Sequence, residues 1–181
     1  MRFEETPIPG AFIVELEAHV DERGFFARTF CEREFSAHAL PLNFPQCNLS
    51  RNHRAGTLRG MHFERPGGSE SKLVRCASGA IYDVIVDLRP ASARPFAWFG
   101  VELSRENGRA LFVPPGLAHG FLTLADETDV FYHMGDFYRP ERSAGFRWDD
   151  PRFAITWPRP PLIMSPRDAA YPDYEPNDTD G

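Results

Sequence analysis

The sequence predicts an all-β fold, a sandwich or barrel with minor helices. Three observations carry that expectation. The apolar runs are short and follow one another at regular spacing. Gly (14) and Pro (17) are frequent among the 181 residues and lie near most of the breaks. A single segment carries a helical pattern, so layers of strands must supply the core.

Taken in order, residues 8–20 read as an apolar opening strand interrupted by Pro9-Gly10. Asp21-Glu22-Arg23-Gly24 is a turn signal, and Phe25 to Phe30 reads as a strand. Residues 31–40, CEREFSAHAL, are the helix candidate, ended by Pro41. Short strands then follow at Asn48–Arg51, Thr57–Phe63, Lys72–Ala77, Ala80–Leu88, Ala97–Leu103, Arg109–Val113, Ala118–Leu124 and Asp129–Met134. Gly56, Pro66-Gly67-Gly68, Gly79, Pro90, Pro95, Gly108 and Pro114-Pro115-Gly116 separate them. Residues 1–170 are expected to form one domain. Residues 171–181, acidic and proline-bearing, are expected to be a flexible tail. Leu162, Ile163 and Met164 are placed to pack back and lead into Asp168.

Composition excludes several functions. With 26 acidic against 20 basic residues the net charge is −6, which argues against nucleic acid as a general partner. No apolar run approaches the roughly 18 residues of a membrane span. Residues 1–10 lack a basic region followed by an apolar core, so no secretory signal is expected. Cys31, Cys47 and Cys76 are odd in number and form no CxxC pair, which suits a reduced, cytoplasmic setting.

Two segments stand out chemically. Gly56 precedes His62 by five intervening residues, and Gly108-x5-Pro114-x-Gly116-x-x-His119 follows later. The pair resembles the two half-motifs of the cupin jelly roll, in which bends present histidines into a barrel mouth. The expectation is therefore a cupin-like jelly-roll β-barrel. A metal cupin needs a His-x-His pair, and Glu64 stands at the partner position. His62, Glu64 and His119 thus leave open a two-histidine, one-carboxylate metal site serving an oxygenase.

A longer match runs from Asp21 to about Asp168. It includes Asp21-Glu-Arg-Gly-Phe-Phe, Gln46-x-Asn48-x-Ser50, Thr57-Leu-Arg-Gly-Met-His62-Phe and Lys72-Leu-Val. It continues through Asp83-Val-Ile-Val-Asp87-Leu-Arg, Leu103-Ser-x-x-Asn107, Pro114-x-Gly-x-Ala-His-Gly-Phe121 and Tyr132 with Tyr138. It closes with Trp148-Asp-Asp-Pro151, Ile155-x-Trp-Pro158 and Ser165-x-x-Asp168. In these blocks the chain resembles the dTDP-4-dehydrorhamnose 3,5-epimerase family of jelly-roll sugar-nucleotide epimerases.

The resemblance implies a substrate that is a nucleotide-linked 4-keto-6-deoxy hexose, inverted at C3, C5 or both, in deoxysugar biosynthesis. It implies His62 as the base, oriented by Asp168, and Tyr132 as the acid on the opposite face. Lys72 would stabilise charge on the C4 oxygen, and Asp83 would pair with Lys72. No cofactor is implied, because the ketone already acidifies its neighbours. Arg23 and Arg59 fall where the family contacts phosphate, a role that suits arginine forks, with Gln46 and Asn48 nearby. Phe26 and Tyr138 offer flat stacking surfaces, and His119 joins the substrate-binding set. A homodimer is implied, with nucleotide contacts crossing between subunits.

Parity adds one requirement. Arg59 and His62 are three apart, so an unbroken strand would put them on opposite faces. A bend or bulge at Gly60 is expected to bring them to one site. Tyr132 and Tyr138, six apart, would share a face on a continuous strand. There are also departures from the family pattern. Arg28 stands where many members carry Glu in the nucleobase pocket, which leaves dTDP, CDP and GDP open. The stretch Ser50–Gly56 is one residue longer than the common form, and Glu64 replaces a usual Gln. A third reading, a non-catalytic nucleotide-sugar-binding module, would need Arg23 and Arg59 but not His62, Asp168 and Tyr132 together.

Overall fold

The computed structural model describes residues 1–41 and 43–176. Thirteen strands run in chain order as β1 (Arg2–Glu5), β2 (Phe12–Glu15), β3 (His19–Asp21), β4 (Gly24–Phe26), β5 (Gln46–Asn52), β6 (Leu58–Glu64) and β7 (Lys72–Ser78). They continue as β8 (Ala80–Asp87), β9 (Trp98–Ser104), β10 (Ala110–Val113), β11 (Leu117–Thr123), β12 (Thr128–Met134) and β13 (Ser143–Gly145). Two short helices, α1 (Glu32–Ala37) and α2 (Pro166–Ala169), and a 3-10 turn at Pro140–Arg142 complete the described elements.

The strands form a six-stranded sheet, β1-β2-β10-β7-β12-β5, and a five-stranded sheet, β13-β6-β11-β8-β9. Pairing within both sheets is antiparallel. Sequence neighbours often lie in opposite sheets, as β6 and β7 do. That is the jelly-roll arrangement expected from the sequence. The hairpin β3–β4 belongs to neither sheet.

Alternation of side chains builds three apolar layers. Ile81 and Ile85 of β8, Leu117 and Phe121 of β11, and Val74 and Cys76 of β7 meet between the sheets. Val84, Val86 and Ala118 point out of the five-stranded sheet, under Phe146, Phe153 and Tyr174. Leu73, Val14 and Phe112 point out of the six-stranded sheet, under Phe35 of α1. The outer layers are covered, so the two sheets read as apolar on both faces over much of their width.

Several boundaries differ from expectation. The opening run at 8–20 is split into β2 and β3, and an edge strand, β1, precedes it. The Phe25–Phe30 strand stops at Phe26, and Phe30 instead packs against Phe35 and Phe44. The helix is shorter than 31–40, because Ala39 adopts φ +54 before Pro41 is reached. Residues 171–176 do not begin a free tail. Tyr174 is buried at 4% exposure, with its ring against Phe63, Phe146 and Phe153. The rest of the expected tail, 177–181, lies outside the described residues.

Candidate active site

The site forms between the two sheets, at the β6–β11 pair and the facing β5, β7 and β12. The ladder of β6 and β11 puts His119 opposite His62 but Phe121 opposite Arg59. Two steps along β11 thus match three along β6, and the extra residue falls at Gly60–Met61. This is the irregularity required by the spacing of Arg59 and His62. Glycine is needed at 60. Its φ is +146, and a Cβ there would lie 2.7 Å from the Gly120 Cα. The strands approach too closely there for any side chain.

His62 meets its carboxylate from a distant part of the chain. Leu58 N–H donates to the Ile163 carbonyl at 2.9 Å, and Leu162 N–H to the Gly56 carbonyl at 2.8 Å. These bonds pin the C-terminal segment beside the start of β6. Ser165 then caps α2 by accepting the Asp168 N–H at 3.0 Å, with Pro166 at the first helical position. Asp168 Oδ1 comes to 2.8 Å from His62 Nε2. Burial works to raise the Asp168 carboxyl. The bond and charge of His62, with bonds from Gly60 N–H and Ser165, outweigh it and hold the carboxyl below its ordinary range. Asp168 is therefore a carboxylate, and a proton on His62 Nε2 is donated to it. Nδ1 then carries the lone pair. The His62 side chain is 38% exposed, so that lone pair is reachable.

Tyr132 comes from the opposite sheet, on β12. Burial above all, then the charge of Asp83, raises its phenol well above the ordinary value. Both effects favour the protonated phenol. Its ring edge meets His119 at 6.4 Å. His119 Nε2 lies 2.7 Å from Asp83 Oδ1, and both side chains are buried. Asp83 therefore does not pair with Lys72. Lys72 Nζ instead meets Glu70 Oε1 at 2.9 Å. Glu70 was missed by the sequence reading, although it sits two residues before Lys72, the spacing at which neighbours on an extended chain share a side.

A cavity of about 260 Å³ is bounded by Asn48, Ser50, Arg59, His62, Lys72, His119 and Tyr132, among others. A second, of about 210 Å³, shares His62 and Lys72 and adds Tyr138, Arg139 and Arg167. A larger cavity of about 390 Å³, beside Leu88, Pro115 and Tyr174, holds no titratable pair of this kind. Tyr138 lies beyond the end of β12, so the continuous-strand parity does not apply to it. Gln46 Oε1 accepts the Tyr138 N–H at 2.6 Å and anchors that loop.

Arg23 and Phe26 line neither site cavity. They sit on the β3–β4 hairpin, where Phe26 is 76% exposed and Arg23 pairs with Asp21. Arg28 is nearby and contacts Glu34 at 3.5 Å. The three-ligand metal site is not assembled either. His62 and His119 each engage an aspartate, and Glu64 Oε2 accepts the Glu70 N–H at 2.9 Å. No cluster of three or more His, Cys, Asp or Glu side chains among the described residues could hold a metal ion.

Known proteins share this architecture. Residues 5–175 match the family described as dTDP-4-dehydrorhamnose 3,5-epimerase. A protein of that name from Methanothermobacter thermautotrophicus is 46% identical, covering 92% of this chain and 91% of its own. The crystal structure of the Bacillus anthracis dTDP-4-dehydrorhamnose 3,5-epimerase, with TDP and PPi bound, superposes with a TM-score of 0.92 at 38% identity, covering 96% of this chain and 99% of that one. The Legionella pneumophila enzyme, in complex with dTDP-4-keto-L-rhamnose, gives 0.87 at 35% identity over 96% and 98%.

Proposed function

The chain belongs to the dTDP-4-dehydrorhamnose 3,5-epimerase family, and from that premise we propose how its own residues carry out the reaction. It is an isomerase, a sugar-nucleotide epimerase of deoxysugar biosynthesis. The single observation that carries the mechanism is the placement of His62 and Tyr132 on opposite sheets, with the cavity between them. A flat sugar ring bound there meets a base on one face and an acid on the other.

His62 Nδ1 takes the proton from a carbon next to the C4 ketone. The C–H electron pair becomes the enolate double bond, and the carbonyl pair moves to the C4 oxygen. The Lys72 ammonium stabilises that oxygen. Tyr132 then delivers its hydroxyl proton to the opposite face of the same carbon. The enolate collapses to the ketone with that centre inverted. Solvent takes the proton from imidazolium and returns one to the phenolate. Asp168 holds the imidazole's orientation and stabilises its charged form. Atoms and electrons balance without a redox partner.

The substrate is a nucleotide-linked 4-keto-6-deoxy hexose, with dTDP supported by the relatives. Arg59 receives the diphosphate, and Asn48 and His119 line the sugar's pocket. A homodimer completes the site. Val20, Phe25 and Phe26 of the hairpin are apolar and exposed, which favours association. Arg23 and Phe26 then serve the partner's cavity, since they lie outside their own. Residues 1–176 work as one domain. The free thiols support a cytoplasmic setting.

The test is proton exchange in deuterated water with dTDP-4-keto-6-deoxyglucose, and then with CDP- and GDP-linked analogues. Deuterium should enter C3, C5 or both, and His62→Ala should abolish it. No exchange with any nucleotide would reject the reading. Light scattering on the purified protein tests the dimer, and a monomer at micromolar concentration would reject it.

A further inference from the structure

Arg59 is exposed at the cavity, and among the described residues it has no carboxylate partner. A long cationic side chain in that position should sample many rotamers, and ordering it would cost affinity on binding. Here it is already ordered. Arg59 Nε donates to Asn52 Oδ1 at 2.8 Å. Asn52 ends β5 and is 2% exposed. Its Nδ2 donates to the Thr128 carbonyl at 3.1 Å and the Ser50 carbonyl at 3.3 Å. Both of those partners are acceptors, so the amide can point only its oxygen toward Arg59.

The neighbouring arginine shows the alternative. Arg51 is held by both oxygens of Asp129, at 2.9 and 2.7 Å, and its charge is neutralised. Asn52 holds Arg59 at Nε through a neutral oxygen, and Nη2 makes only a long bond, 3.5 Å, to the Arg51 carbonyl, which is also neutral. The outer edge of the guanidinium and its full charge stay available to an anion.

We propose that Asn52 is a positioning residue for the nucleotide diphosphate: it presents Arg59 in a fixed orientation without neutralising it. The inference rests on the assignment of Arg59 to the diphosphate given above. Asn52 touches neither the sugar carbon nor the reacting proton in this scheme. Its removal should act on binding and leave the chemical step alone.

The experiment is a double-substitution cycle read by dTDP affinity and by steady-state wash-in kinetics. Asn52→Ala should weaken dTDP binding and raise KM about threefold to tenfold, with kcat kept within about twofold. Added to Arg59→Ala, the same change should weaken binding no further. Thermal unfolding checks that each variant is folded at the assay temperature. Where Asn52→Ala does not fold, Asn52→Ser keeps a hydroxyl that can donate to one of the two carbonyls but is too short to hold Arg59 Nε. Its dTDP affinity should also fall. Unchanged affinity in the folded variant, an equal loss in kcat, or full additivity with Arg59→Ala would overturn the proposal. Inactive wild type would instead reject the epimerase reading, so the two failures are distinguishable.

Discussion

Two histidine–aspartate pairs face the same cavity, and they differ in almost everything but their bond. His62–Asp168 and His119–Asp83 join Nε2 to Oδ1 at 2.8 and 2.7 Å. The two histidines are direct cross-strand partners on β6 and β11. His62 is 38% exposed, whereas the His119 side chain is 6% exposed and that of Asp83 fully buried. Asp168 arrives on a capped turn from the C-terminal segment, while Asp83 is part of a central strand. Identical pair chemistry therefore serves two ends. The open pair can exchange a proton with a ligand. The closed pair is a fixed charge and a ring edge, and both act on Tyr132. Access to the cavity separates the two imidazoles.

The sharpest way to break this comparison is to remove each histidine in turn. His62→Ala should lower wash-in by about 10³-fold, within the range for loss of a general base, and cost some stability because the buried Asp168 loses its partner. His119→Ala should cost about 2 kcal/mol of stability by leaving Asp83 buried without its partner, with a much smaller rate loss than His62→Ala. Equal rate losses in the two variants would erase the distinction.

Tyr132→Phe sharpens the comparison from the acid's side. Net inversion should fall about 10²-fold or more. Deuterium should still enter, because His62 can remove a proton and return a solvent-derived one on its own face. Exchange without inversion, read by NMR and product stereochemistry, is the expected signature. Loss of both together would place Tyr132 before the first proton transfer.

Asp83→Asn should have a smaller effect. Burial is the main force raising the Tyr132 phenol, and the Asp83 charge adds to it. Removing that charge should bring the alkaline limb of the kcat profile to lower pH. An unmoved limb would show that the buried pair does not act on the acid.

The smallest effect is on stability in acid. The folded Asp168 carboxyl is held below its ordinary value. Its contribution is complete above the unfolded value, near about pH 4, and is lost as pH falls through the folded one. Denaturant titrations should show wild type losing more stability in that window than Asp168→Asn. Parallel losses would mean that the bond to His62 adds nothing to the fold.

Some of this site was legible before folding. Arg59, Gly60 and His62 demanded a local irregularity, because period-two geometry cannot place 59 and 62 together. Gly60 supplies it, beside Gly120. The partner of Lys72 was misread. Asp83 and Lys72 lie on facing sheets, and nothing along the chain ranks a contact across a barrel against one with a near neighbour such as Glu70. The edge strands β1 and β13 were also missed. They are short, and β1 holds one aromatic among three charged residues, so neither carries a strong apolar signal.

By itself, the sequence determined the layered β architecture, since short apolar runs cut by Gly and Pro can bury their faces in few other ways. It also determined the chemical inventory: an imidazole, a phenol, an ammonium and the arginines. Tertiary structure alone decided which carboxylate meets which base. Asp168 lies 106 residues from His62, and a chain segment pinned by three backbone bonds brings them together. Tertiary structure also placed His62 and Tyr132 on opposite sheets. Such pairings depend on how strands close into a barrel, and local propensity carries no information about that closure.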